Sequence, residues 1–188
     1  MPRTARASVG NMCYHVINRG NGRAEIFHKD CDYLRFTEMI GEAVERLPMR
    51  VMSWCLMPNH FHMVLRPYGN GDLGTWMQWL MTTHVRRYHR HYHSSGHIWQ
   101  GRFKAFAIQD NSHYLKVLRY VESNALRANL VDLAEQWEWS SLYALRQLDL
   151  FPYLVSGPVR RPGNWLALVN KEQGQEEVEQ IRTSVNRQ

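Results

Sequence analysis

The sequence lacks several features that mark membrane, secreted or disulfide-rich proteins. No apolar run approaches the roughly eighteen residues of a membrane span, and the N-terminal stretch MPRTARASVG has no apolar core of a secretory signal. The three cysteines, Cys13, Cys31 and Cys55, include no Cys-x-x-Cys pair, which favours reduced thiols. These absences predict a cytoplasmic protein without a membrane partner.

Acidic residues are absent from His84 to Lys104, although the 188-residue chain carries 17 acidic and 23 basic residues. Cations alternate there with aromatic residues, a pattern that suits single-stranded nucleic acid because phosphates need charge and bases need stacking partners. The alternative is a solvated basic helix face followed by a turn. The residues predicted to contact DNA in this stretch are Arg86, Arg87, Arg90, Trp99, Arg102 and Lys104.

Hydrophobic periodicity predicts the order β-α-β-β-α-β followed by one more helix. The predicted strands cover 11–20, 49–57, 60–66 and 98–108, and the predicted helices cover 29–47, 73–91 and 110–130. This order is the split βαβ, ferredoxin-like pattern. We therefore expect an α+β fold in which an antiparallel four-stranded sheet carries two helices on one face, with a third helix added. Residues 1–150 would form the functional domain, and residues 151–188 a linker with a short, weakly packed helix.

The stretch MPNHFHMVLRP places two histidines one residue apart within the third strand. Because side chains alternate along a strand, His60 and His62 leave one face together while Phe61 and Met63 leave the other. Two imidazoles on one face can bind a metal ion. Spacing alone leaves open the alternative of a half-exposed strand that carries two histidines without a ligand.

The last predicted helix carries polar residues beside its apolar stripe. At about 100° per residue, Tyr120 and Asn124 lie one turn apart on a face away from the buried side, with Arg127 near it. Alternatively, Tyr120 is an ordinary boundary tyrosine, and Asn124 satisfies a backbone group near the helix end. Tyr114 is the competing functional tyrosine, but it falls within the apolar stripe.

Taken together, three motifs resemble the single-tyrosine HUH transposases, and more closely the REP-associated tyrosine transposases of bacteria. These motifs are MPNH with the histidine strand, GHIWQGRFKAFAI, and YLKVLRYVESNALRANLV. They occur in the family's order between Tyr14 and Leu142, about two-thirds of the chain. The combination is specific, although each motif alone is not.

The resemblance implies a site and a reaction. Residues 1–150 would be the transposase domain, with Tyr120 as the nucleophile and a divalent metal, Mg²⁺ or Mn²⁺, on His60, His62 and Asn124. Imidazole ligands by themselves favour zinc-like ions. The substrate would be single-stranded DNA, including REP-like palindromic hairpins, cleaved and rejoined through a 5′-phosphotyrosine. Arg127 joins the predicted DNA-binding residues. Monomer and homodimer remain open.

Two other functions stay open from the sequence. A nucleic-acid-binding module on the same fold would bind DNA without cleaving it, and it would need no nucleophile beside a metal site. A metal-dependent hydrolase that uses water would survive the loss of Tyr120.

Overall fold

A four-stranded antiparallel sheet forms the centre of the computed structural model, which describes residues 8–176, 178–179 and 181. Its strands are β1 (Tyr14–Arg19), β2 (Met49–Met57), β3 (His60–Pro67) and β4 (Lys104–Ala107). Their order across the sheet is β2-β3-β1-β4. The chain order β-α-β-β-α-β and the antiparallel pairing confirm the predicted α+β, ferredoxin-like fold.

Helices cover both faces of this sheet. The long helices are α1 (Asp30–Arg46), α2 (Asp72–Tyr92) and α3 (Asn111–Glu122), and the shorter ones are α4 (Asn124–Arg127), α5 (Ser141–Ala144) and α6 (Trp165–Asn170). Single 3₁₀ turns occupy Asn21–Arg23, Ala134–Gln136 and Leu148–Leu150. Within the described residues, every helix is too short or too polar to span a lipid bilayer.

The two faces of the sheet bury two separate apolar clusters. Phe61 and Met63 of β3 face α1 and α2, together with Trp54 and Leu56 of β2. The opposite face of the sheet packs against α3 and α4, and α6 packs on α3. The histidines of β3 therefore lie on the face of the sheet that α3 covers, away from α1 and α2.

The fourth strand and the last long helix differ most from the prediction. The fourth strand covers only Lys104–Ala107 rather than 98–108, although Trp99 pairs locally with Gly20. The predicted helix 110–130 divides at Ser123, where the Tyr120 carbonyl accepts hydrogen bonds from the Arg127 guanidinium (2.9 Å) and the Ser123 hydroxyl (3.5 Å). Side-chain donors that compete for a helical carbonyl explain the interruption.

The segment after residue 150 contacts the core, so the prediction of weak packing is wrong. Trp165 and Val169 of α6 are buried against α3. The buried Glu122 carboxylate accepts hydrogen bonds from the Trp165 indole (2.6 Å) and the Arg161 guanidinium (2.5 Å). These contacts connect the C-terminal segment to the helix that carries Tyr120. Of the predicted helix within 171–188, positions 175, 176, 178, 179 and 181 are helical, and positions 177, 180 and 182–188 lie outside the described residues.

His84 of α2 is buried among aromatic rings on the face of the sheet that α1 and α2 cover. Burial lowers its pKa to about 4. Below its unfolded pKa of about 6.5, the unfolded chain binds a proton that the folded chain excludes. His84 should therefore reduce stability as the pH falls from about 6.5 through 4, by roughly 2 to 3 kcal/mol at pH 4.5. Urea unfolding at pH 7 and pH 4.5 should show a smaller loss for His84→Leu than for the wild type. An equal loss, with exposed His97→Gln as the control, would contradict this role.

Candidate active site

His60 and His62 leave β3 on the face that α3 covers. Their ring centroids lie 5.1 Å apart with the planes nearly perpendicular. The intervening Phe61 is fully buried on the opposite face, as strand alternation predicts. The two imidazoles are therefore neighbours at the end of the sheet where β3 begins.

The hydrogen bonds of Asn59 determine which nitrogen of His60 carries the proton. Asn59 Nδ2 donates to the Arg23 carbonyl (3.0 Å), so Oδ1 of the same amide faces His60 Nδ1 at 2.6 Å. Because Oδ1 can only accept, His60 Nδ1 must donate. The Nε2 lone pair of His60 is then free of this bond and has the tautomer of a metal ligand.

His62 is held by a third histidine that the sequence analysis did not identify. His15 Nε2 lies 2.9 Å from His62 Nδ1, and the two rings stack with centroids 5.1 Å apart. When His62 Nδ1 is the donor, His62 Nε2 presents its lone pair in the same way as His60. His15 faces the site because β1 pairs with β3 and Ile17 lies opposite His62.

Burial lowers the pKa of all three histidines. The pKa falls to about 4 for His60 and to about 3 for His15, and it lies well below the ordinary value for His62. The positive charge of Arg127 acts in the same direction on each. All three rings are therefore neutral near pH 7, as ligation requires. Among the described residues, no three histidine, cysteine or acidic side chains form a metal-binding group, so an ion here would need another donor such as an amide oxygen.

Tyr120 of α3 packs directly on these histidines. Its ring centroid lies 5.5 Å from that of His62 and 6.0 Å from that of His15, both edge-on. The guanidinium of Arg127 lies over the Tyr120 ring, 4.0 Å from its centroid. Tyr120 is 6% exposed, so the prediction that this residue faces away from the buried side is wrong.

Asn124 follows one turn beyond Tyr120 and is also buried, and its Nδ2 has no hydrogen-bond partner among the described residues. Arg127 Nη1 donates to the Ser123 hydroxyl (2.6 Å) and to Gln173 Oε1 (3.1 Å) as well as to the Tyr120 carbonyl. Gln173 was not predicted, because its contact spans 46 residues of sequence. These bonds fix the backbone between Tyr120 and Asn124.

The predicted DNA-binding residues fall into different environments. Arg86, Arg90 and Arg102 are exposed, and Lys104 is half-buried at the start of β4. Arg87 is exposed but donates to the Glu42 carboxylate (3.0 and 3.1 Å). Trp99 is buried against Phe61 and His84 in the core. The prediction that Trp99 contacts DNA is therefore wrong, because its ring is not available to a base.

A model of a known protein family matches much of this chain. The family is described as "Transposase IS200 like", and the match covers residues 8–124. The matched region begins before β1 and ends at Asn124. It therefore includes the histidine strand and Tyr120.

Two curated bacterial proteins are similar in sequence. A Haemophilus influenzae protein assigned to the REP-associated tyrosine transposases is 24% identical over 133 residues, which are 64% of this chain and 75% of that protein. An Escherichia coli K12 REP-associated tyrosine transposase is 22% identical over 152 residues, 80% of this chain and 87% of that protein. A solved structure of a REP-associated tyrosine transposase bound to a REP hairpin has the same fold, with a TM-score of 0.62 and 21% identity over 87% of this chain and 96% of that one.

Proposed function

The chain belongs to the IS200-like transposase family, and we propose that it cleaves and rejoins single-stranded DNA through a covalent bond to Tyr120. The observation that carries this proposal is the contact between Tyr120 and His62, whose ring centroids are 5.5 Å apart. A phenol packed against a pair of neutral imidazoles at one end of a sheet combines a nucleophile with candidate metal ligands.

The chain has donors that suit a divalent ion, and we assign His60, His62 and Asn124 to it. Both histidines have their Nδ1 atoms occupied, by Asn59 and His15, which directs Nε2 toward a ligand. Asn124 has a buried amide with an unpaired Nδ2, and its oxygen could provide the third donor. When bound, Mg²⁺ or Mn²⁺ would polarise the phosphate and stabilise charge on its oxygens.

In the proposed reaction, the Tyr120 oxygen attacks the phosphorus of one phosphodiester. A bond forms between this oxygen and phosphorus while the bond to the 3′ oxygen breaks. The phenol proton passes to a base or to water, and the leaving 3′ oxygen takes up a proton. The 5′ side of the DNA remains as a phosphotyrosine. Because the phosphodiester energy is conserved, a 3′-hydroxyl can reverse the step and join strands.

Within the site, the protein side chains hold the phenol in place. His15 and His62 contact the edge of its ring, and Arg127 lies over its face while bonding the Tyr120 carbonyl. Arg127 therefore positions Tyr120, in addition to its predicted contact with DNA. A fixed ring reduces the entropy lost when the nucleophile meets its target.

We propose that the partner is single-stranded DNA containing hairpins of the REP type. The REP hairpin named for the solved relative supports this substrate class. Arg86, Arg90, Arg102 and Lys104 would contact the phosphates, with Arg87 reaching DNA only if it releases Glu42.

Charge reversal at Arg102 and Lys104 should weaken binding of hairpin DNA and reduce its salt dependence. Each lost phosphate contact lowers the slope of log affinity against log salt by about 0.7 to 0.9. Fluorescence anisotropy at several salt concentrations measures both effects. Charge reversal at Arg35, on the exposed side of α1, provides the control. Unchanged binding in the double variant would contradict a DNA-binding role for these residues.

A covalent-adduct assay tests the proposed function. The protein is incubated with end-labelled single-stranded DNA carrying REP-like hairpins and Mn²⁺ or Mg²⁺, and the products are separated on a denaturing gel. With the label at the 3′ end of the DNA, we expect a slower, protease-sensitive band, because the fragment downstream of the cut stays bound to Tyr120 through its 5′ phosphate. No such band should form in EDTA.

Two other results would replace the proposal. Cleavage without an adduct would indicate a water nucleophile, as in a metal-dependent hydrolase. Binding without cleavage across a broad set of hairpins would indicate a nucleic-acid-binding module. In both cases Tyr120 would pack on His62 only to stabilise the fold.

A further inference from the structure

Arg19 is a basic residue of the site face that has no role in the reaction as described above. It is the last residue of β1 and lies directly opposite His60 in the antiparallel ladder. Directly opposed side chains in such a pair lie on one face, with Cβ atoms about 5 Å apart. His15 precedes Arg19 by four residues and shares its face for the same reason. The strand register therefore brings Arg19 beside the histidine pair.

Backbone hydrogen bonds hold Arg19 on both sides. Its carbonyl accepts from the Gln100 amide (2.8 Å), and the next residue, Gly20, donates to the Asn59 carbonyl (2.7 Å). Its own amide donates to Asn18 Oδ1 (2.9 Å). Because Asn59 also orients the His60 ring, Arg19 and His60 are fixed to the same turn. The side chain thus leaves from a rigid position next to the candidate metal ligands.

The guanidinium of Arg19 is incompletely satisfied in the protein alone. Its Nε atom is buried and has no hydrogen-bond partner in the part of the chain that the structure describes, an arrangement that costs stability. Burial is the main cause of the lowered pKa of His60 and His62, and the positive charge of Arg19 acts in the same direction on both. Among the described residues, no carboxylate forms an ion pair with Arg19. An anionic ligand at this point would satisfy both the charge and the free N–H.

We propose that Arg19 binds a non-bridging oxygen of the phosphate that Tyr120 attacks. This inference rests on the proposed function and assigns a further catalytic residue to it. A guanidinium donates paired N–H groups in the geometry of a phosphate and stays charged at every relevant pH. It would bind the substrate and stabilise the added negative charge as the Tyr120 oxygen approaches phosphorus. Arg127 is less suited to this contact because its Nη1 already donates to Tyr120, Ser123 and Gln173.

The experiment measures single-turnover formation of the covalent adduct on a hairpin oligonucleotide. We compare wild type, Arg19→Gln, Arg19→Lys and Arg35→Gln, the last being an exposed arginine of α1. Each protein is also tested on DNA whose scissile phosphate is replaced by a separated methylphosphonate isomer, which removes one charged oxygen. Circular dichroism and thermal melting establish that each variant is folded.

We expect Arg19→Gln to lower the rate at saturating DNA by about 100-fold, Arg19→Lys to retain part of it, and Arg35→Gln to match the wild type. One methylphosphonate isomer should lower the rate of adduct formation less in Arg19→Gln than in the wild type. The variant already lacks the contact between Arg19 and the phosphate oxygen that this isomer removes. A residue that only supports the fold would give additive losses, and this result would overturn the inference. An unchanged rate in Arg19→Gln would also overturn it while leaving the proposed function intact. Absence of any adduct in the wild type would overturn both.

Discussion

Replacing Tyr120 by phenylalanine is expected to eliminate the covalent adduct and with it strand cleavage and joining, a fall of about 10⁴-fold or more in rate. The change removes only the phenol oxygen. The ring retains its edge contacts with His15 and His62 and its place under the Arg127 guanidinium. Because the packing is preserved, we expect the free energy of unfolding to change little. The measurement is the same denaturing gel, together with urea unfolding of both proteins.

Tyr114→Phe is the matched control for this substitution. Tyr114 lies on the same helix, is 1% exposed, and has a buried hydroxyl to which no described residue forms a hydrogen bond. Removing that hydroxyl should cost no stability, since an unpaired buried polar group is unfavourable, and the adduct should form at the wild-type rate. If Tyr120→Phe still forms the adduct while Tyr114→Phe does not, the assignment of the nucleophile is wrong.

The fold could be predicted because the relevant signals are local. The strand Met49–Met57 has the same bounds in the structure as in the prediction, since its apolar run ends at Pro48 and Pro58. The face shared by His60 and His62 follows from strand alternation alone. Helix α1 ends within one residue of the predicted position because Pro48 follows it.

The parts of the site that were missed depend on contacts distant in sequence. His15 reaches His62 across 47 residues, and Arg19 faces His60 only through the register of β1 against β3. A strand pattern fixes which side chains share a face but not which strands are neighbours. Once the split βαβ order is accepted, β1 lies beside β3, and alternation from His15 to Arg19 could have identified both residues.

Burial explains the remaining differences. The sequence placed Tyr120 on a face away from the core, but the sheet and Arg127 cover that face. Trp99 lies in a basic stretch that suits DNA, yet its large apolar ring is better satisfied in the core against Phe61. Aromatic side chains serve both purposes, so composition cannot separate them. Neighbouring charges such as Arg102 stay exposed because their desolvation would be costly.

His62→Ala and His60→Ala are expected to abolish binding of Mn²⁺ to the protein without DNA. Each change removes one of two imidazole donors, and among the described residues no group of three histidine, cysteine or acidic side chains could hold the ion instead. Electron paramagnetic resonance of free Mn²⁺ measures binding directly and does not depend on DNA cleavage. His84→Leu is the control, because it removes a buried histidine on the other side of the sheet.

His15→Phe should have an intermediate effect that separates ligation from orientation. The phenyl ring can keep the stack on His62 and the edge contact with Tyr120, but it removes the Nε2 atom that faces His62 Nδ1 at 2.9 Å. Loss of such a partner typically weakens metal binding by 10 to 100-fold. Mn²⁺ affinity should therefore fall in the order wild type, His15→Phe, His62→Ala. Wild-type affinity in His62→Ala would exclude the histidine pair as the metal site, and the low pKa of its imidazoles would then reflect only their burial beneath α3 and the positive charges beside them.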